Sequence, residues 1–194
     1  MKAAKGLHVK SSWLLFAMVV VAIFASNVNA AAICTESDLM EALGKVAHKS
    51  GLTKELESLK GKWSSAVKMR ADAEHPWTHA EGEDLFSVTE DGHHLKHEST
   101  IGQEKKALAL LTYDSQQRKY VAASCDSSGA APVTTVGTFA NATFEYKTSG
   151  KQMTTTLRDH SDMVSKVSLI KKDTPQSKEA REITIVEVTY KREP

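Results

Sequence analysis

Three histidines fall within five positions of the stretch DGHHLKHEST, residues 91–100, in a chain with eight histidines in all. Histidine is a common metal ligand and the side chain best suited to exchanging protons near neutral pH. In an extended strand His93, Leu95 and His97 share one face, and Leu95 marks that face as inward. At ~3.3 Å per residue, roughly 13 Å separates the backbones of His93 and His97. One zinc ion cannot bridge that distance with bonds of about 2.0–2.1 Å, so a metal would need ligands from elsewhere.

Sequence patterns of the common enzyme classes are missing. The chain contains no G-x-S-x-G, no H-E-x-x-H, no P-loop and no dinucleotide-binding fingerprint. We therefore assign no catalytic residue and no metal ligand, and we expect a binding protein rather than an enzyme. A hydrolase or isomerase stays open as an alternative, since a histidine beside a carboxylate in a cavity can act as a general base.

Most of the chain predicts short strands that would position these side chains. From Gly61 onward apolar residues alternate with polar ones, as in KWSSAVKM, and turn residues recur about every ten positions. No long helix separates the segments, so the strands must pair antiparallel. Closure into a barrel removes unpaired sheet edges. We predict a mainly β protein, an antiparallel up-and-down barrel of about nine or ten strands, with a two-sheet sandwich as the alternative.

Two segments precede the predicted barrel, which spans 61–194. Residues 1–30 carry lysines, then the apolar run Trp13 to Ala25, then small residues, the order of a secretory signal peptide. The run is shorter than the ~20 residues of a membrane span, so we expect cleavage, export to the periplasm or medium, and no stable span afterwards. An uncleaved anchor is the alternative. Residues 31–60 show apolar spacing of three to four, which predicts a short helical segment flanking or plugging one end.

Charge and cysteine content narrow the partners and the compartment. The formal net charge is +1 and the basic residues are scattered, so no surface for nucleic acid is expected. The two cysteines, Cys34 and Cys125, would form one disulfide in an oxidising compartment. Two free thiols are the alternative.

Four sequence stretches together resemble a known family. GKW opens the first strand at 61–63, ALLTYDSQQRKYVAASCDSSG covers 109–129, VGTF covers 136–139, and IVEVTYKRE closes the chain at 185–193. In their order and spacing they resemble the bacterial secreted family called domain of unknown function 1579, over roughly residues 55–193. The resemblance implies a lipocalin-like antiparallel barrel related to nitrobindin, with no established activity.

The chain departs from the family pattern at two positions. Thr112 stands where the pattern has glycine, and Ser124 stands where it has a tryptophan. The missing ring would leave extra cavity volume or be compensated by neighbouring side chains. The likeness to nitrobindin adds a haem, held by His97 or else His93, as an alternative, although we expect no cofactor.

We predict that the barrel binds a small apolar molecule in its interior. The residues expected to line or fill the cavity are Trp63, Phe86, His93, Leu95, His97, Leu111, Tyr113, Phe139 and Tyr190. One alternative is a filled barrel that presents its loops, such as 74–84 and 171–181, to a protein partner. The sequence itself identifies neither the ligand, nor a partner, nor the oligomeric state.

Overall fold

The structure, a computed structural model, describes residues 34–102, 105–127, 131–148, 151–172 and 180–194. Ten strands each pair antiparallel with their neighbours along the chain, and the first also pairs with the tenth, so the sheet closes on itself. The prediction of an antiparallel up-and-down barrel is confirmed. The strands are β1 (Gly61–Met69), β2 (Thr78–Val88), β3 (Leu95–Ile101), β4 (Lys105–Asp114), β5 (Lys119–Asp126), β6 (Val133–Ala140), β7 (Thr143–Thr148), β8 (Lys151–Leu157), β9 (Asp162–Lys172) and β10 (Ala180–Arg192).

The predicted signal peptide, residues 1–30, lies outside the described part of the chain. Within the described part, no helix is long and apolar enough to cross a membrane.

Alternation of buried and exposed residues, as in β1, builds the interior. In β1 every second residue, from Trp63 to Met69, is buried, and the residues between them are exposed. Successive side chains of a strand point to opposite faces, so one set enters the barrel and the other meets solvent.

An N-terminal arm, residues 34–60, holds two short helices. The first, α1 (Glu36–Gly44), lies against the outer wall of β4 and β5, where Leu39 and Leu43 pack on Leu110, Val121 and Ala123. The second, α2 (Lys54–Glu57), sits at the end of the barrel where β1 begins. We call this end the α2 end. The predicted helical segment thus covers a wall with its first helix and an end with its second.

The arm is fixed to the barrel at two places. A disulfide joins Cys34 to Cys125 in β5, which confirms the disulfide interpretation over two free thiols. Farther along, Asp114 at the end of β4 accepts a hydrogen bond from the backbone N–H of His48 at 2.8 Å. That bond is the first of several that hold the pKa of Asp114 below its ordinary value.

Leu56, Leu59 and Trp63 close the α2 end. All three are buried, and the indole Nε1 of Trp63 donates a hydrogen bond to the Leu59 carbonyl at 2.9 Å. The guanidinium of Arg192, in β10, lies 4.5 Å from the centre of the Trp63 ring. Arg192 also donates to the carbonyl of Ser58, just after α2. One residue thereby links α2, β1 and β10.

Two segments expected to be loops differ in the structure. Within 74–84, strand β2 begins at Thr78, so only the first part is a connection. The polar composition hid the strand, because His79, Glu81 and Glu83 all point outward and are exposed. Of the segment 171–181, the ends belong to β9 and β10, and 173–179 lie outside the described residues.

Candidate functional site

The barrel interior contains a partly open cavity of about 90 Å³. All strands except β1 contribute to its wall, together with Leu59 from the connection after α2. An apolar cavity of ~150 Å³ holds benzene in another protein, and drug-sized ligands need roughly 300–1,000 Å³. The cavity therefore suits one small molecule. The apolar part of its wall consists of Leu59, Phe86, Ala109, Leu111, Ala122, Phe144, Met153, Met163, Val167, Val186 and Val188.

Polar groups interrupt this apolar wall. Thr155 and Ser165, on the neighbouring strands β8 and β9, hydrogen-bond to each other at 2.9 Å. Their mutual bond keeps two buried hydroxyls satisfied without water. The polar or hydroxyl-bearing residues of the wall are His97, Ser124, Thr135, Tyr146, Thr155, Ser165 and Tyr190.

His97 and Asp84 form a buried pair beside the cavity. Nε2 of His97 lies 2.7 Å from Oδ1 of Asp84, and both side chains are almost fully enclosed. The pairing of β2 with β3 sets Phe86 opposite His97, and the two rings stack in parallel with centres 4.0 Å apart. Asp84 is two residues before Phe86 in β2 and so lies on the same inward face. The imidazole is therefore fixed both by a hydrogen bond and by a flat aromatic contact.

Asp84 is held in its charged form. Burial raises the pKa of Asp84, and its Oδ2 has no hydrogen-bond partner within the described residues, but the hydrogen bond with His97, followed by the nearby hydroxyls of Ser65 and Ser99, brings the pKa below its ordinary value. Gly82 makes room for this arrangement, since a Cβ there would lie 2.7 Å from the Ser65 hydroxyl oxygen. Because the carboxylate only accepts hydrogen bonds, the proton between the pair resides on Nε2 of His97.

Tyr146 is a further residue of the cavity wall. Its hydroxyl is buried and has no hydrogen-bond partner within the part of the chain that the structure describes. Burial raises the pKa of Tyr146 well above its usual range. A Cβ at Gly137 would lie 2.5 Å from a ring carbon of Tyr146, so only glycine lets this ring rest against β6.

The structure brings four of the sequence-predicted residues to the cavity wall. These are Phe86, His97, Leu111 and Tyr190. Trp63 and Leu95 are fully buried in the core without lining the cavity.

Tyr113 and Phe139 also pack on the core without lining the cavity. Both contact Tyr120, with ring centres 5.1 and 6.1 Å away, in an aromatic cluster that continues to Phe144. The Tyr120 hydroxyl lies 3.2 Å from that of Thr53, the residue that caps α2. These rings fill the barrel toward the α2 end.

The expected inward position of His93 is corrected by the structure. His93 is exposed, because β3 begins only at Leu95 and His93 still belongs to the preceding turn. Asp91 holds that turn by accepting the backbone N–H of His93 at 2.9 Å. The strand alternation on which the prediction relied does not extend back to this residue. His94 is buried instead, with Nδ1 3.1 Å from the Asp91 carboxylate.

Sequence reasoning missed Asp84 and most of the wall hydroxyls. Asp84 was hidden because its segment was assigned to a loop, so no strand register pointed it inward. Ser124, noted where the family pattern has tryptophan, lines the cavity, which agrees with the extra-volume alternative. Among the described residues, no group of three or more His, Cys, Asp or Glu side chains is arranged to hold a metal ion.

Comparison with known proteins gives a family and distant structural likenesses. The family described as "Protein of unknown function (DUF1579)" matches residues 52–192. No curated protein matches the chain. The S-type phycobiliprotein lyase of Guillardia theta is 8% identical with a TM-score of 0.42, over 72% of this chain and 90% of the lyase. A DUF3598-family protein of unknown function from Nostoc punctiforme is 9% identical with a TM-score of 0.41, over 76% of this chain and 51% of that one.

Proposed function

The chain belongs to the DUF1579 family of proteins of unknown function, and for this member we propose that an exported barrel binds one small, mainly apolar molecule in its interior. The observation that carries the proposal is the cavity of about 90 Å³ with a largely apolar wall. Well-packed interiors contain few voids larger than a water molecule. A void of this size, bordered by Phe86, Phe144 and aliphatic side chains, gains apolar contacts when a ligand fills it.

Two methionines let the cavity adapt to its occupant. Met153 and Met163 both border it, and the unbranched thioether side chain changes shape at small cost. A ring somewhat larger than the empty space can therefore enter by displacing these chains.

The disulfide supports export. Cys34 and Cys125 are bonded, and structural disulfides persist in oxidising compartments but rarely in the cytosol. This agrees with the signal peptide expected in residues 1–30. The mass of protein recovered from the periplasm or medium of its host tests the cleavage directly.

Toluene is a suitable first probe of binding. With ¹³C-methyl methionine, toluene should shift the Met153 and Met163 signals through its ring current, while Met40, a residue of α1 outside the barrel, serves as the internal reference. Ala109→Leu should fill the cavity from β4 and weaken binding. The matched variant Ala66→Leu adds the same atoms to the exposed face of β1 and should leave binding unchanged.

Two results would contradict the proposal. One is the absence of any methyl shift at saturating toluene, and the other is equal weakening of toluene binding by both leucine variants.

Native mass spectrometry of the exported protein, with and without denaturation, identifies the natural occupant as a dissociable mass. Bare polypeptide together with a co-purifying protein would favour the interaction-module alternative instead.

A further inference from the structure

The geometry of the buried pair points to a ligand class. We propose that the cavity selects a small planar molecule carrying one uncharged hydrogen-bond donor, a hydroxyl or N–H, which it gives to Nδ1 of His97. The inference rests on the proposed function, since it names the chemistry of a molecule in the same cavity.

The first step concerns the orientation of the His97 ring. Nε2 is committed to Asp84 at 2.7 Å, and the ring lies parallel to Phe86 at 4.0 Å. The ring cannot flip without losing its hydrogen bond to Asp84. Since His97 also borders the cavity, its remaining polar atom, Nδ1, has a fixed place in the site.

The second step concerns the proton. Asp84 is a carboxylate and accepts the hydrogen on Nε2, so in the neutral imidazole Nδ1 carries a lone pair. Nδ1 is then an acceptor, and a ligand must donate to it. A carboxylate beside a metal-bound or catalytic histidine fixes the tautomer of the imidazole ring. Asp84 has the same effect on His97.

The third step concerns what the protein leaves unsatisfied. No hydrogen bond to Nδ1 of His97 occurs within the described residues, where only the Nε2 contact is present. The residues opposite His97 on the two neighbouring strands are Phe86 and Ala109, and neither has a polar side chain. An acceptor beside a mostly apolar cavity gains from a donor that reaches it, so a ligand that donates to Nδ1 binds more tightly than one that only fills space.

The fourth step concerns charge and shape. A charged ligand would lose its hydration in a mostly apolar cavity, at a cost that one neutral acceptor does not offset. A flat ring is favoured because the aromatic rings of Phe86, Phe144 and Tyr146 border the space and offer faces and edges for stacking. The class is therefore small phenol-like or pyrrole-like molecules.

Three probes of similar size measure how much a hydrogen-bond donor on the ligand adds to the affinity. Phenol has a ring and a donor, anisole keeps the ring and oxygen but lacks the donor, and toluene has neither donor nor oxygen. Phenol should bind about tenfold more tightly than anisole or toluene, the difference that one buried hydrogen bond makes. In protein with ¹⁵N-labelled histidine, phenol should shift the Nδ1 resonance of His97, and anisole and toluene should not.

A variant pair tests the role of Asp84. In Asp84→Asn the side chain can also donate to Nε2, so the ring is free to carry its proton on Nδ1. The preference for phenol should fall to less than about threefold, while toluene binding, which reports an intact cavity, persists. Glu83→Gln makes the same carboxyl-to-amide change on the exposed face of β2 and should keep the full preference.

The outcomes separate the two proposals. Equal affinity for the three probes, or a proton found on Nδ1 in the wild type, overturns the donor inference and leaves the binding function standing. Failure of all three probes to bind overturns both. If Asp84→Asn no longer folds, the wild-type affinities and the ¹⁵N spectra alone decide.

Discussion

Two consecutive residues in left-handed backbone conformation join β6 to β7. Asn141 has φ 50° and Ala142 has φ 57°. A two-residue hairpin turn with positive φ at both positions favours Asn-Gly, because glycine has no Cβ to clash in this region. Asn141 fits that preference, but Ala142 does not. The turn therefore stores strain at one alanine.

Replacing that alanine should stabilise the protein. We expect Ala142→Gly to raise the free energy of unfolding by about 1 kcal/mol, because it removes the left-handed strain of an L side chain. Urea unfolding followed by circular dichroism measures the change. Ala140→Gly, at the last position of β6, serves as the control and should lower stability by roughly 0.5–1 kcal/mol. A loss of stability in both variants would mean that the turn is not strained.

The charged state of Asp84 predicts a response to acid. Its folded pKa lies below the ordinary value because of His97, Ser65 and Ser99, although burial acts in the opposite direction. A group with a lowered folded pKa contributes stability above its unfolded pKa of ~3.9, and this contribution disappears as the pH falls through the lower folded value. Between about pH 4 and pH 2, the free energy of unfolding should fall more steeply in the wild type than in Asp84→Asn. Parallel pH profiles from urea titrations would contradict this.

Individual site residues were predictable only where the strand alternation was clear. Leu95 and the histidines around it predicted an inward His97, which the structure places at the cavity. The same alternation failed for His93, because the turn at Asp91 delays the start of β3. Asp84 could not be predicted, since its importance depends on a partner in another strand and on a register that no local pattern contains.

At the scale of elements, the N-terminal arm explains an unusual feature of β5. Its residues from Ala123 to Asp126 are buried without alternation, which a strand with one face in solvent does not show. Inward residues such as Ser124 border the cavity, while Val121, Ala123 and Cys125 lie beneath α1. The 3.6-residue spacing predicted the helix of the arm. It did not predict the surface that receives the helix, but the run VAASC at 121–125, in which apolar and polar residues do not alternate, is the sequence signal that could have done so.

The covalent attachment of the arm should make a large contribution to stability. The disulfide joins residues 91 positions apart, and on the chain-entropy model a loop of this size is worth about 4–5 kcal/mol. We expect the double variant Cys34→Ala/Cys125→Ala to lose an amount of this order in urea unfolding. Reduction of the wild type should produce a similar loss. If the arm detaches in the double variant, Leu39→Ala should lower the free energy of unfolding less in that variant than in the wild type.

For the whole molecule, the seam between β1 and β10 turns a sheet into a barrel. Trp63 pairs in register with Arg192 across this seam, and the same two side chains stack at the α2 end. Closure was predictable from the number of short strands and the absence of crossover helices. The volume of the cavity was not predictable, because it is the small space that remains after the inward side chains have packed against each other.

Loss of the arginine should loosen this end. Arg192→Ala removes the cation–π contact and the bond to Ser58, and we expect a loss of about 1–3 kcal/mol in the free energy of unfolding. The indole N–H resonance of Trp63 should shift in the same variant. Lys191→Ala, at an exposed position of the same strand, is the matched control and should change neither quantity. Equal effects of the two variants would show that the stacking contributes nothing.

The pairing of β1 with β10 also has a consequence in time. A ribosome makes β1 long before β10, so for most of synthesis the first strand has only one of its two neighbours. The N-terminal arm can reach Cys125 before synthesis is complete. The barrel, however, cannot close until β10 has been made. Unpaired strand edges invite contacts with other chains. The nascent polypeptide therefore keeps an unpaired strand edge that chaperones can cover, and the barrel closes only when β10 pairs with β1.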